Sequence, residues 1–170
     1  MFNLIKQDLE NYHGDWAAQG FWAMLVYRFG RWRYTIDNVI LRKLCSFIYK
    51  VLYKLVQVIT GIELPCEVEV GENFLIDHFG GIIISGYAKF GDNCRIRNGV
   101  VVGLKNVHEP CAPEIGNNVD IGAGAKLLGN IKIGSNVSIG ANSVVLVDVP
   151  DNAIAVGVPA IIKSKKPKLS

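Results

Sequence analysis

The chain has 170 residues, of which 50% are hydrophobic and 19% charged, and its formal net charge is +3. That length suits one domain with a small appendage, and the composition is that of a folded protein rather than a disordered one. The mild charge, with no dense basic stripe interleaved with aromatics, argues against a nucleic-acid binder.

Residues 1 to about 60 read as helical. Met1 to Glu10 mix apolar and charged residues and lack the continuous apolar core of a signal peptide, so a cytoplasmic location is expected. Phe21, Trp22, Leu25, Val26 and Phe29 fall at helical spacing. A longer helix is expected from Asn38 to Thr60, with Asn38 as its N-cap. Lys43, Lys50 and Lys54 interrupt it, so no membrane span is expected. Packing against neighbouring elements is the favoured reading. Peripheral contact with anionic headgroups through Arg42, Lys43, Lys50 and Lys54 is the alternative.

From about residue 61 to 149 the chain repeats a six-residue unit of one aliphatic residue and mostly small or polar companions. The run is Ile115, Ile121, Leu127, Ile133, Ile139 and Val145, with Ile84, Phe90, Ile96 and Val102 ahead of it. A period of six fits neither a helix nor a simple sheet. It marks a mainly β solenoid in which each hexapeptide forms one side of a triangular coil. The aliphatic residues point inward, and Gly, Asn or Asp takes each corner. Roughly four coils are expected.

The repeat breaks once, between Val102 and Ile115. An extra loop at 103–114 leaves the coil there and carries His108, Glu109, Pro110 and Pro113. Loops inserted into a rigid scaffold commonly carry function. Residues 150–170 form a C-terminal extension ending in a basic stretch with Lys163, Lys165, Lys166 and Lys168. That stretch is either a solvated tail or a contact for phosphates.

The four cysteines, Cys45, Cys66, Cys94 and Cys111, lack metal-ligand spacing and read as reduced thiols. Of the three histidines, His78 lies in Asp77-His78-Phe79-Gly80-Gly81, where small residues leave room for an acceptor. It is either a general base or a structural histidine beside a glycine-rich corner. His108 is either a surface residue or a group that reaches a neighbouring subunit. His13 has no assigned role.

Five segments resemble the bacterial hexapeptide acyltransferases of the left-handed parallel β-helix superfamily. These are Ile76-Asp77-His78, Ile121-Gly122-Ala123-Gly124-Ala125-Lys126, Asn130-Ile131-Lys132-Ile133-Gly134, Gly140-Ala141-Asn142-Ser143-Val144-Val145 and Gly157-Val158-Pro159-Ala160. The chain is most similar to the serine acetyltransferase-like branch, which includes capsule and sugar acetyltransferases. The resemblance implies a left-handed coil, an acetyl-CoA donor and a homotrimer with sites between subunits. It implies that His78 is the catalytic base and that Glu63, fifteen positions upstream, steers it. Leu104, Ala123 and Ala141 match donor-binding positions, and Gly103, Gly122 and Gly124 keep the walls of that groove low. Lys126, Lys163 and Lys166 are candidate partners for the phosphates of coenzyme A. The resemblance implies direct transfer, with no acyl-enzyme and no metal.

The chain also departs from the serine enzymes. They carry an Arg-His pair before the Pro that closes the loop, and the aligned residues here are Cys111 and Ala112. Neither binds a carboxylate as Arg does. The helical region is also shorter. A sugar acceptor is therefore expected, as a nucleotide-linked amino sugar or polysaccharide precursor, with Asp77 and His108 as contacts. Serine O-acetylation is the alternative. A non-catalytic scaffold is the alternative from another class, and a metal enzyme lacks a sufficient histidine set.

Overall fold

The computed structural model of the protein describes residues 2–106 and 108–165. Three helices come first: α1 (Phe2–Asn11), α2 (Gln19–Trp32) and α3 (Val39–Thr60). Asn38 caps α3 as expected, its Oδ1 accepting from the backbone N–H groups of Ile40 and Leu41 at 3.0 and 3.1 Å. Gly61 ends α3 at φ 64°, a left-handed position that favours glycine. In α2 the apolar residues at helical spacing do not all face inward. Phe21 and Val26 are buried, but Leu25 faces out, and Met24 and Tyr27 fill the core instead.

The rest is a parallel β solenoid with three faces. The first face holds Ile62–Glu63, Ile82–Ile84, Val101–Gly103, Lys126–Leu128 and Val144–Val145. The second holds Glu69–Val70, Lys89–Phe90, Glu114–Ile115 and Lys132–Ile133. The third holds Leu75–Asp77, Arg95–Arg97, Asp120–Ile121, Ser138–Ile139 and Ala153–Val156. Five strands on the first and third faces mean about five coils, one more than expected. The stacking also continues past residue 149, where the coil was expected to end: Ala153–Val156 pairs in parallel with Ser138–Ile139. Ile161–Ser164 then folds back antiparallel on Ala153–Val156.

The inward aliphatic residues stack in register, one column per face. Ile84, Val102, Leu127 and Val145 form the first column. Phe90, Ile115 and Ile133 fall in the second. Ile121, Ile139 and Ala155 fall in the third. All are 5% exposed or less. Each column buries apolar area against the coil above and below, which is why the six-residue period specifies the fold.

The corner between the second and third faces is built on asparagine. Asn73, Asn93, Asn118, Asn136 and Asn152 all sit at φ of 54–59°. The side-chain amides of the first four each donate to the next Oδ1 along the axis, at 2.9–3.1 Å. Asparagine tolerates this backbone region because its short amide bonds locally. At the lower end Gln7 of α1 donates to Asn73 Oδ1 at 2.9 Å, closing the ladder.

The helices also cover the lower end of the solenoid. The first coil presents backbone groups with no coil beneath to pair them, and unpaired strand edges invite association. Tyr27 donates to the Val68 carbonyl at 2.9 Å, and the Tyr49 hydroxyl accepts from Cys66 N at 2.9 Å. Tyr12 bridges one residue, donating to Ile76 O at 3.3 Å and accepting from Ile76 N at 3.1 Å. Burial raises the Tyr12 and Tyr49 hydroxyls well above the usual tyrosine range, so both remain protonated donors or acceptors.

Candidate active site

The His78 corner joins the third face to the first. Inward residues there are eight apart, Ile76 to Ile84, whereas the equivalent corners span six: Ile96 to Val102, Ile121 to Leu127, and Ile139 to Val145. Two extra residues must leave the coil. His78 takes φ 64°, Gly80 φ 97° and Gly81 φ 66°, and His78 and Phe79 project as exposed side chains. A non-glycine residue at positive φ is uncommon, with His, Asn and Asp the types that adopt it most readily, and strained positions concentrate at functional sites. The eight-residue spacing is written in the sequence, but a search for sixes passes over it.

Above His78 the same edge carries Gly99, Ala123-Gly124 and Ala141-Asn142. Gly124 sits at φ 74°, and a Cβ there would lie 2.0 Å from Asn142 Oδ1. A Cβ on Gly122 would lie 2.5 Å from Ala141 N. Packing against the backbone of the next coil therefore demands Gly122, and the positive φ favours glycine at 124. Gly103 differs, since a Cβ there meets only Ser85 Cβ at 3.9 Å. Its lack of a side chain has no packing cause.

Glu63 lies on the first face beside Ile83, in the outward row. Its Oε1 accepts a short hydrogen bond from the Gln57 amide of α3. Tyr53 stands close by, and its hydroxyl is pushed up to about 12, first by burial and then by the Glu63 charge. In the single chain the carboxylate is thus engaged by α3. Asp77 is engaged as well, 3.3 Å from the Arg95 guanidinium.

The loop candidates lie on the opposite edge of the first face. Gly103 ends the Val101–Gly103 strand, Leu104 follows half-buried, and His108 is exposed. The His108 backbone N–H bonds Asn106 Oδ1 at 3.1 Å, and its ring stands in solvent. Ala112 is buried at the base of the loop. One chain therefore separates His78 from Leu104 and His108 by the width of a face, three residues or about 10 Å of strand.

Of the lysines, Lys126 donates its ammonium to the carbonyls of Gly99 and Gly124, which braces the His78 edge rather than leaving the charge free. Lys163 is exposed on the closing strand. Lys166 lies outside the described residues.

A cleft of about 650 Å³ opens between the α1–α2 turn and the third face, bringing His13, Asp15, Asp77 and Arg95 together. No sequence pattern placed His13 there, because the turn meets the coil only through tertiary packing. A larger groove, about 820 Å³, runs over the second face. Its walls are the paired charges of Lys89 and Glu114, 2.9 Å apart. It carries none of the histidines. Among the described residues, no cluster of three His, Cys, Asp or Glu side chains is placed to hold a metal ion.

Comparison with known proteins bears on this geometry. Residues 112–146 match the bacterial transferase hexapeptide (six repeats) family model. A serine acetyltransferase of Synechococcus elongatus is 40% identical over 141 residues, covering 82% of this chain and 55% of that protein. The chain thus spans little more than half of that relative. A protein of Escherichia coli (strain K12) named as a colanic acid biosynthesis acetyltransferase, WcaB, is 35% identical over 154 residues, covering 88% of this chain and 93% of its own length. A serine acetyltransferase from Brucella abortus strain S19, solved in complex with coenzyme A, superposes with a TM-score of 0.81 at 29% identity, covering 96% of this chain and 67% of that one. The solenoid, its repeat and these similarities over most of the chain together make it a member of the bacterial hexapeptide-repeat transferase family.

Proposed function

We propose that this chain is an acetyl-CoA-dependent acetyltransferase in which His78 is the general base. The observation that carries the reading is the corner two residues longer than its equivalents, which lifts His78 out of the coil onto an edge of small residues. The imidazole removes a proton from an acceptor hydroxyl or amine. The freed lone pair attacks the thioester carbonyl, the C–S bond breaks, and the imidazolium returns the proton to the departing thiolate. A backbone N–H at the groove stabilises the oxyanion. Glu63 steers the ring once Gln57 releases or shares it. Gly103, Leu104, Ala123 and Ala141 line the pantetheine path, and the relative solved with coenzyme A supports that donor. Because His78 and the loop lie on opposite edges of one face, the reading needs a neighbouring copy. A homotrimer supplies one.

For the acceptor, we place a saccharide in the cleft of His13, Asp15 and Asp77, with His108 reaching in from a neighbour. A cleft of this volume suits a sugar. Two observations support the choice. Cys111 and Ala112 put no cation at the loop's base, and WcaB matches this chain over nearly its whole length. Serine is the second reading, favoured by the names of the Synechococcus and Brucella relatives. The test is an acceptor screen with acetyl-CoA and a thiol reagent, comparing L-serine with nucleotide-linked amino sugars. A kcat/KM for serine above that of every sugar tried would overturn the saccharide reading and leave the acetyltransferase reading standing.

A further inference from the structure

The apolar outward row of α3 has no part in the site described above, although Lys54 beside it donates to Gln57 Oε1 at 2.8 Å. Ile40, Leu44, Phe47, Val51, Leu55 and Val58 recur at three- and four-residue steps and form one continuous row. Ile40 is 81% exposed, Phe47 67% and Val58 75%. A second row of exposed Leu and Ile side chains widens the stripe. Soluble monomers rarely leave an apolar patch larger than about 300–600 Å² in water, and a stripe along six turns of helix exceeds that. The buried face of α3, with Cys45 and Tyr49, already packs on α2 and the first coil.

Charge identifies what covers the row. From Val39 to Thr60 the helix carries Arg42, Lys43, Lys50 and Lys54 and no acidic residue. Lys43, Lys50 and Lys54 are seven and four residues apart, so they fall on one side of the helix, bordering the apolar row. A groove of about 400 Å³ is walled by Val51, Leu55 and Val58, with Lys50 and Lys54 beside them. A second α3 laid against the first would bring four more cations and no carboxylate. An anionic bilayer surface supplies both complements, hydrocarbon for the row and phosphates for the lysines. Among the described residues no helix is long and apolar enough to cross a membrane, so the geometry is that of a helix lying in the interface.

We infer that α3 is a peripheral membrane-docking helix that seats the protein on anionic lipid. The test is flotation of the full chain with vesicles of phosphatidylcholine alone and with about one-third phosphatidylglycerol. The protein floats with the anionic vesicles and stays behind with the neutral ones. Replacing Lys43, Lys50 and Lys54 together by Gln lowers the partition by about tenfold or more. Phe47→Ser with Leu55→Ser abolishes it while circular dichroism and the thermal midpoint hold, because both side chains are exposed. Three results would each overturn the inference. One is absent or equal partition on the two vesicles. Another is full binding by the triple Gln variant. The third is a higher assembly in sedimentation velocity that the Phe47→Ser, Leu55→Ser protein cannot form, since the row would then be buried between copies.

Discussion

His78 shows how one residue can be legible in type and hidden in placement. Its identity as the only histidine in the regular coils singled it out. Its projection depends on a spacing of eight where the neighbouring corners have six. His78→Ala should lower turnover at least about a hundredfold, the scale of lost general-base assistance, with the assembly unchanged by gel filtration. Glu63 is the harder case. The family resemblance paired it with His78, while the folded chain gives its Oε1 to Gln57, a partner that comes from the end of α3. If Gln57 holds the carboxylate in reserve, Gln57→Ala raises or preserves kcat and Glu63→Gln lowers it roughly tenfold or more. An equal loss in both variants, tracking a common loss of stability, would assign the pair a structural role only. Gly103 permits a cleaner test because a methyl group fits there. Gly103→Ala should leave the thermal midpoint unchanged and raise KM for acetyl-CoA; an unchanged KM removes Gly103 from the donor path.

At the scale of elements, the coils were readable because a solenoid side has one inward position, and an aliphatic residue there is sufficient. The final coil escaped the period for a physical reason. Val145 to Val149 spans four residues rather than six, and the next inward residues, Ala153 and Ala155, are too small to stand out. Helical spacing located α2 but not its core face, which is defined by what it packs on, the strand Leu75–Asp77 and α3, and not by apolarity alone. The asparagine corner was foreseen only as a corner. Its ladder is a cooperative array, in which every member accepts and all but the terminal Asn152 also donate. Asn118→Ala removes two of those bonds and leaves alanine at φ 56°, so it should destabilise by about 1–3 kcal/mol in chemical denaturation. A cost no greater than that of a surface substitution would show that the ladder follows the fold rather than supporting it.

For the whole molecule, the solenoid is a rigid ruler that spaces chemistry along its edges. Each departure from six falls where the regular coil cannot serve: two extra residues at His78, seven in the loop, two fewer before the closing strands. The corner lined by asparagine has none and carries no candidate residue of the donor path. Packing alone gains nothing from an added bulge, which is why the proposed site is drawn at the insertions. Tyr12, Tyr27 and Tyr49 hold the helical cap against the first coil, and Tyr12 does so at Ile76, two residues before His78. The cap therefore braces the bulge as well as covering the edge. The most direct measurement is thiol release from acetyl-CoA in the presence of a nucleotide-linked amino sugar or of L-serine, with the wild-type chain and with His78→Ala. Acceptor-dependent release that falls at least about a hundredfold in the variant is the expected result. Release at an equal rate in both proteins would contradict the account, as would none with any hydroxyl or amine acceptor.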